Sequence, residues 1–386
     1  MGETMTRRER VLAAMRRQPV DRVPCVVSFN PLYPSQRTCW NFPWPQTATV
    51  EERTAYQVDV LGLDQVLEIG TDFTCASEGV TSRTWKEGGL LHKVYETPAG
   101  PLHASVRHNE LWAHGDDIPL MSDFNVGHFE KPWIASEQDL ECLRHVMQWD
   151  WTGRKQGEMK EYYDRLRRLA DRYGLAVRGR AGEGLTGAMK MMGAEPLCAM
   201  VVENPGLVDA YLEYEHAINV RTIEVLGEWG VEIVGRNGFY ETADFYGPAM
   251  LERFVGGRLR REAAAARAAG VLSSYTIHTG LMPILDYLAG LTMDTLFGID
   301  TAFHGVDLER VRDRLSAGKS LWIGPSSTYH LWSGPEATRE AVRRVFEVFG
   351  DRPGFVLSPG VSAHSIMPWK STTAMIDEWK RLAGVA

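Results

Sequence analysis

The sequence predicts an α/β fold, a single-domain (β/α)8 TIM barrel with a decorated N-terminal region. Short apolar segments typical of buried strands alternate with longer helical patterns, and this alternation indicates a parallel sheet with crossover helices. The last apolar segment, Phe355 to Leu357, runs directly into Ser358-Pro359-Gly360, a turn of the kind that presents catalytic loops in such barrels. A length of 386 residues, 44% of them hydrophobic, suffices for one large core.

The first elements are irregular. Thr6 and Glu9 have the spacing of a capping box, which predicts a short helix through Arg17, and the apolar segment 23–29 predicts a buried strand. From about 30 to 150 the chain is rich in Trp, Pro and Gly, which predicts a decorated first βα unit with a hairpin near 90–97. We therefore expect an N-terminal helix at 1–22 and a barrel at 23–386, with an insertion at about 30–150.

Beyond residue 158 the pattern becomes regular. Strands are predicted at 175–180, 231–236, 271–278, 295–299, 320–323 and 355–357, and helices between them include 205–229, 248–269 and 333–349. The helix at 333–349 begins with a second capping-box spacing, Ser333 and Glu336. This order completes the barrel prediction.

Composition excludes several function classes. Lys and Arg number 42 against 50 Asp and Glu, a net charge of −8, and no basic run occurs, which argues against a nucleic-acid partner. Five cysteines without a CxxC pair indicate neither a disulfide framework nor a Cys-rich zinc site. The chain shows no signal peptide and no apolar run of membrane-spanning length, so we expect a cytoplasmic protein without a membrane partner.

Polar residues just past the predicted strands are the candidate site, because catalytic groups of such barrels project from the carboxyl ends of strands. They are Asn30, Asp72, Arg180, Glu183, Arg236, Asn237, Tyr240, Glu241, His278, Asp300, Ser326, Ser327, His330 and His364. Among them we predict catalytic roles for His278, His364, Glu241, Tyr240 and Asp72. Substrate-binding roles are predicted for Asn30, Arg180, Arg236, Asn237 and His330.

Each role has a structural alternative. Arg180 and Arg236 could bind a carboxylate bidentately, or form salt bridges with Glu183 or Glu241. His278 could be catalytic or a hydrogen-bonded core histidine. An aromatic loop carries Trp40, Phe42 and Trp44; it could cap an aromatic or apolar ligand, with Trp40 binding substrate, or pack against a neighbouring loop or subunit.

Several motifs appear in one order along nearly the whole chain. They are the helix Thr6 to Met15, Pro19-Val-Asp-Arg-Val-Pro24, Tyr95-Glu-Thr-Pro-Ala-Gly100, Trp133 to Leu140 and the Ser358-Pro-Gly360 turn. In this order the chain resembles the uroporphyrinogen decarboxylase superfamily, and within it the corrinoid- and zinc-dependent methyltransferase-like branch. The resemblance implies a barrel enzyme with a small-molecule substrate, methyl transfer or demethylation, zinc, a corrinoid carried by a partner protein, and at most a homodimer.

The zinc ligands that this resemblance implies are missing. Tyr275-Thr-Ile-His278-Thr-Gly280 resembles the His-x-Cys motif of that branch, but Thr279 stands at the Cys position, and Val361 stands where a second Cys follows Gly360. Hydroxyl and isopropyl groups cannot replace thiolate ligands. The remaining metal hypothesis is a rebuilt zinc site from His278, Glu241 and His330 or His364.

The haem-pathway decarboxylases of the superfamily are a second template. Of their arginine-rich loop only Arg37 is retained, as a predicted substrate-binding residue, which argues against a porphyrinogen substrate. Asp72 matches their catalytic Asp, with a turn Asp as the alternative. Two enzyme hypotheses follow for a small anionic or aromatic substrate: corrinoid-linked methyl transfer with a non-standard site, or a metal-independent decarboxylase or C–X lyase with His278 or His364 as general acid/base. A non-catalytic ligand-binding protein is the third.

Overall fold

The computed structural model describes residues 4–31, 39–110, 112, 114–121, 129–303, 305–360 and 362–385. Its strands are β1 (Phe29–Asn30), β2 (Val66–Ile69), β3 (Thr74–Cys75), β4 (Thr81–Glu87), β5 (Leu90–Thr97), β6 (Gly100–Arg107), β7 (Phe129–Lys131), β8 (Gln148–Trp149), β9 (Ala176–Arg180), β10 (Ile233–Asn237), β11 (Leu272–Thr276), β12 (Thr295–Asp300), β13 (Ser320–Gly324), β14 (Phe355–Leu357) and β15 (Ala363–His364).

Helices connect these strands. They are α1 (Arg7–Met15), α2 (Val50–Ala55), α3 (Glu137–Val146), α4 (Arg154–Tyr173), α5 (Leu185–Met192), α6 (Ala194–Glu203), α7 (Pro205–Glu228), α8 (Pro248–Leu251), α9 (Gly257–Ala268), α10 (Leu285–Gly290), α11 (Leu308–Leu315), α12 (Pro335–Phe349) and α13 (Trp369–Ala383). In the described part of the chain, none of them combines the length and the apolar character needed to span a bilayer.

The main sheet is parallel and closes into the predicted barrel. Seven strands are hydrogen-bonded in the order β14, β13, β12, β11, β10, β9, β2. The segment around Cys25 joins its two edges: the Val26 N–H donates to the Leu357 carbonyl at 3.0 Å, and the Asp64 N–H donates to the Cys25 carbonyl at 2.9 Å. Because this segment supplies the eighth strand position, the α/β barrel prediction is confirmed.

The regular half of the chain matches its prediction closely, and the departures have physical reasons. Strand β2 was not predicted from the sequence, because Glu68 interrupts the run of apolar residues that would have indicated it. The capping box at Thr6 is confirmed, since its hydroxyl accepts from the Glu9 N–H while the Glu9 carboxylate accepts from the Thr6 N–H. The capping box at Ser333 is wrong: Gly334 is the N-cap of α12, and the Ser333 hydroxyl donates to the Tyr329 carbonyl.

A separate antiparallel sheet occupies the decorated region. Strands β4, β5, β6 and β7 pair in that order, with the predicted strand β5 in the interior. Buried side chains on β5 and β6, including Leu91 and Leu102, belong to one core with Leu140 and Leu143 of α3. The domain boundaries and the extent of the insertion stay predictions.

Helix α1 covers the amino-terminal end of the barrel. Its residues Val11, Leu12 and Met15 share a core cluster with Ala176 and Ile233, the first residues of β9 and β10. The buried Arg10 fixes the helix through ion pairs of 2.6 Å to both Asp21 and Asp64. Helix α1 therefore covers this end of the barrel, and the carboxyl ends of the strands form the end where active sites of such barrels lie.

Candidate active site

A cavity of about 660 Å³ lies inside the barrel. Alternate residues of a strand point to the same face of the sheet. Residues two positions apart therefore line the cavity together, as Arg178 and Arg180 of β9 and Gly235 and Asn237 of β10 do. The lining side chains that bear on the chemistry are Asn30, Glu68, Arg178, Arg180, Glu183, Lys190, Asn237, Phe239, Tyr240, His278, Phe297, Trp322 and His364. The position matches the usual active-site end of such barrels.

His278 follows the end of β11 and has a defined tautomer. Its Nδ1 lies 2.5 Å from the Gly298 carbonyl oxygen and 2.8 Å from that of Gly360. Both partners are acceptors, so Nδ1 carries the proton and Nε2 is the acceptor of the neutral ring. Gly298, at φ +83°, leaves room for the imidazole, since a Cβ there would lie 2.6 Å from Cε1 of His278. The backbone therefore holds this ring in one orientation.

His364 lines the same cavity from β15, which pairs with β1 so that His364 stands opposite Asn30. Burial and the proximity of His278 lower the pKa of His364 to about 4, although a hydrogen bond to the Asn30 backbone opposes the shift. Burial also lowers the pKa of His278, against the effect of its two carbonyl partners. Both rings are consequently neutral at pH 7.

A charged wall faces this cavity. Four cationic side chains and two carboxylates line it, namely Arg53, Arg178, Arg180, Lys190, Glu68 and Glu183. One carboxylate, Glu68, is shared by Arg178 at 3.5 Å and Arg180 at 3.2 Å. Burial raises the pKa of Glu68, but the two guanidiniums outweigh it and the net shift is downwards. The cationic excess among the described lining residues suits an anionic ligand.

Polar side chains complete the lining. The Asn237 amide donates to Glu183 Oε1 at 3.4 Å, and the Asn30 amide donates to the Ser362 hydroxyl at 2.7 Å. Burial, followed by the nearby Glu183, raises the pKa of Tyr240, so its phenol is protonated at neutral pH. These groups offer hydrogen bonds for orienting a ligand beside the two histidines.

The comparison with known proteins identifies the family. A family model described as "Uroporphyrinogen decarboxylase (URO-D)" matches residues 110–382. The chain belongs to the uroporphyrinogen decarboxylase family. Uroporphyrinogen decarboxylases of Burkholderia pseudomallei (strain K96243) and Alkalilimnicola ehrlichii are 28% identical over 180 residues and 29% identical over 175 residues. These matches cover 46% and 45% of this chain, and only 45% and 44% of the relatives.

A solved structure extends the likeness to the whole fold. The methyltransferase from Methanosarcina mazei superposes with a TM-score of 0.61 at 16% identity, covering 98% of this chain and 99% of that one. At this identity the likeness establishes a shared fold and leaves the chemistry to the residues of the site.

Two predicted site residues of this family member lie outside the cavity lining. Arg236 is buried and bonds Glu241 through Nη2 at 3.1 Å and Glu262 through Nε at 3.2 Å. Glu241 also accepts from the Tyr275 hydroxyl at 2.6 Å and the Leu185 N–H at 2.7 Å. Arg236 thus forms the salt bridge to Glu241 that was the structural alternative. Arg236 and Glu241 were predicted to lie in the site, but both are held by other partners outside the cavity lining.

Three further predicted site residues also lie outside the cavity lining. His330 Nδ1 accepts from the Ser326 N–H at 3.0 Å and lies outside the lining. The indole of Trp40 packs on Phe42 of its own loop with ring centroids 5.2 Å apart, and Trp40 lies outside the cavity lining. Asp72 is an exposed turn residue whose Oδ1 accepts from the Thr74 N–H at 3.2 Å. Arg37 lies outside the described residues.

The rebuilt zinc site is not formed. No group of three or more His, Cys, Asp or Glu side chains that could hold a metal ion occurs within the ranges the structure describes. Glu241 and His330 are turned to other partners, as above, so the predicted ligand set does not converge. Thr279, at the family's Cys position, donates its hydroxyl to Asp244 at 2.6 Å, and Val361 lies outside the described residues. These donors do not fit a thiolate zinc centre.

Sequence reasoning missed Glu68, Arg178 and Lys190, because all three lie inside elements instead of just past a strand. The available signal was a charged residue flanked by apolar residues or glycine within a strand, at Glu68 of β2 and Arg178 of β9. On a strand buried on both faces, such a residue needs a partner or a ligand, and the pattern alone does not tell which of the two it has.

Proposed function

We propose that this member of the family is a metal-independent acid–base enzyme, a decarboxylase or C–X lyase, that acts on a small carboxylate. The observation that carries the proposal is His278: a buried, neutral imidazole with its Nδ1 proton held by two carbonyls, in a cavity with a cationic excess. A general base needs this protonation state and this fixed orientation.

The lyase reaction is the simpler for a neutral imidazole. Nε2 of His278 takes a proton from the carbon beside the substrate carboxylate, and the electron pair left behind is stabilised by the cations that bind the carboxylate. As the carbon–carbon double bond forms, the bond to the leaving group breaks with its electrons, and the imidazolium returns its proton to that group. Burial favours this return, because it lowers the pKa of His278.

Decarboxylation uses the same groups in another order. The carbon–carbon bond to the reacting carboxylate breaks, carbon dioxide leaves, and the carbanion takes a proton from the small fraction of His278 or His364 that is protonated. Because burial lowers the pKa of both rings, this fraction is a strong acid, and the ring regains its proton from solvent. The apolar wall around Phe239 and Phe297 favours loss of charge from the reacting carboxylate.

Zinc-dependent methyl transfer is the rival hypothesis, and the donor set speaks against it. Neither Thr279 nor the four residues of the rebuilt site supply thiolates. A corrinoid protein partner, a homodimer and a cytoplasmic location stay predictions. The overall likeness to the Methanosarcina mazei methyltransferase concerns the fold.

The test is a screen of small carboxylates in D₂O, followed by NMR for deuterium incorporation, elimination products and carbon dioxide. We expect turnover by the parent without added metal, and a loss of at least roughly a hundredfold in His278→Gln. His92→Gln, in the antiparallel sheet, is the control and should keep full activity. Undiminished turnover in His278→Gln, or methyl transfer to a corrinoid as the sole reaction, would contradict the proposal.

A further inference from the structure

Arg178 is a buried cation that forms no hydrogen bond with the part of the chain that the structure describes. Its side chain is 9% exposed, and its one ion pair, to Glu68, is long at 3.5 Å. None of its nitrogens has a hydrogen-bond partner among the described residues, and Nε is fully enclosed. A guanidinium has five N–H donors, and burying them unpaired costs stability. Burial accordingly lowers the pKa of Arg178 more than Glu68 raises it.

The surroundings of Arg178 make room for the guanidinium inside the barrel. On the neighbouring strand β10 stands Gly235, where a Cβ would lie 2.5 Å from Nε of Arg178. On the other side, the guanidinium carbon lies 4.7 Å from the centroid of the Phe297 ring. Arg178, Gly235 and Phe297 all line the cavity. A planar cation is thus kept in place by a glycine and an aromatic face.

A second unpaired donor lies next to the same ring. Trp322 is 2% exposed, and its indole Nε1 has no partner in the described part of the chain. Its ring packs on Phe297 with centroids 5.4 Å apart, and Trp322 also lines the cavity. Two buried donors therefore flank one apolar ring, an arrangement that suits a ligand with an anionic head and an apolar, planar body.

We infer that Arg178 is the anchor of the substrate carboxylate, and that the substrate carries this carboxylate on an apolar planar body lying against Phe297 and Trp322. That the bound carboxylate is a substrate rests on the proposed function. That a carboxylate binds here rests on the residues of the cavity alone. It replaces Arg236, which its own carboxylates occupy, as the carboxylate anchor. Arg180, at 62% exposure, lies at the outer part of the same wall.

The probe is benzoate, which joins a carboxylate to an apolar planar body; benzamide is its uncharged isostere, and acetate lacks the body. Titration calorimetry at constant ionic strength should show that the parent binds benzoate, and binds benzamide and acetate at least roughly tenfold more weakly. Arg178→Met keeps the shape of the side chain and should lose benzoate affinity by a similar factor. Arg178→Lys keeps the positive charge but loses the two parallel N–H donors of the guanidinium. Its benzoate affinity should lie between those of the parent and Arg178→Met.

Stability separates an anchor from a structural ion pair. Because Arg178 makes no hydrogen bond to any described residue, Arg178→Met should melt at or above the temperature of the parent. A parent that does not bind benzoate, an Arg178→Met variant that binds it equally well, or one that fails to fold would each overturn the inference.

The two proposals can fail separately. His278→Gln should bind benzoate like the parent, because it leaves the anchor intact. Benzoate binding that depends on Arg178, without turnover of any carboxylate, would contradict the proposed function and leave the anchor standing. Turnover that Arg178→Met does not impair would remove the anchor alone.

Discussion

Arg178 and Arg236 lie on the neighbouring strands β9 and β10, and both are buried, yet their surroundings differ. Arg236 bonds Glu241, Glu262 and the Asn237 carbonyl, so each part of its guanidinium has a partner. Within the described ranges, the partners of Arg178 are one distant carboxylate and the face of Phe297. One arginine is thus satisfied by the fold, and the other is left with capacity for a ligand.

The network of Arg236 has a structural task next to the cavity. Glu215 accepts the Glu183 N–H at 2.6 Å, and Glu241 accepts the Leu185 N–H at 2.7 Å. These bonds hold the loop between β9 and α5, which carries Glu183 to the cavity wall. Burial raises the pKa of both Glu215 and Glu241, although Arg236 opposes the shift. The network therefore positions a lining residue without contacting a ligand itself.

Arg236→Met tests the difference between the two arginines most directly. We expect it to cause the largest loss of stability among the variants considered. The substitution leaves Glu241 and Glu262 buried without their cation, at a cost of about 3–5 kcal/mol in the free energy of unfolding. Urea denaturation measures it, with Arg178→Met as the matched control that loses little or nothing. Equal losses in the two variants would show that both arginines are structural.

The second prediction concerns pH and the cavity histidine His364. Its pKa is about 4 in the folded state, below the ordinary value of 6.5, so the unfolded state binds more protons between these values. Stability should therefore fall as pH drops from about 6.5 to 4, with a contribution on the order of 3 kcal/mol from this residue.

Denaturation of parent and His364→Gln across this range checks the prediction, since the variant should lose this part of the pH dependence. His278 titrates in the same cavity and remains in both proteins, so only the difference between their curves is assigned to His364. His92→Gln is the control. Parallel curves for parent and His364→Gln would show that the cavity does not hold this ring neutral.

The smallest effect on stability is expected for Gly235→Ala. This variant tests whether the position of the Arg178 guanidinium, and not only its charge, matters for ligand binding. Its Cβ would lie 2.5 Å from Nε of Arg178, so the flexible guanidinium must shift from its place in the barrel. We expect a change in unfolding free energy of about 1 kcal/mol or less, with clearly weaker benzoate binding in calorimetry. Gly247→Ala, whose Cβ would meet nothing within 4 Å, should change neither. Unaltered affinity in Gly235→Ala would argue against the anchor.

The barrel, the family and the missing zinc thiolates could all be predicted from the sequence. Alternation of strands and helices is a local pattern, and Thr279 and Val361 are read directly at their positions. It also singled out His278, His364, Asn30, Asn237, Tyr240 and Arg180, which line the cavity. These residues follow strands whose ends meet at one mouth, a geometry implied by the fold class itself.

Which charged side chains are available to a ligand depends on packing between elements that are distant in the sequence. Arg180 and Arg236 both lie at the end of a predicted strand, and nothing in their spacing tells that three protein groups occupy Arg236. Those partners come from β10 itself, the loop after it and α9, so they meet only when the barrel and its outer helices pack. The role of Arg178 could not be predicted for the opposite reason. It depends on the lack of hydrogen-bond partners around its guanidinium among the described residues, and the local sequence carries no sign of this.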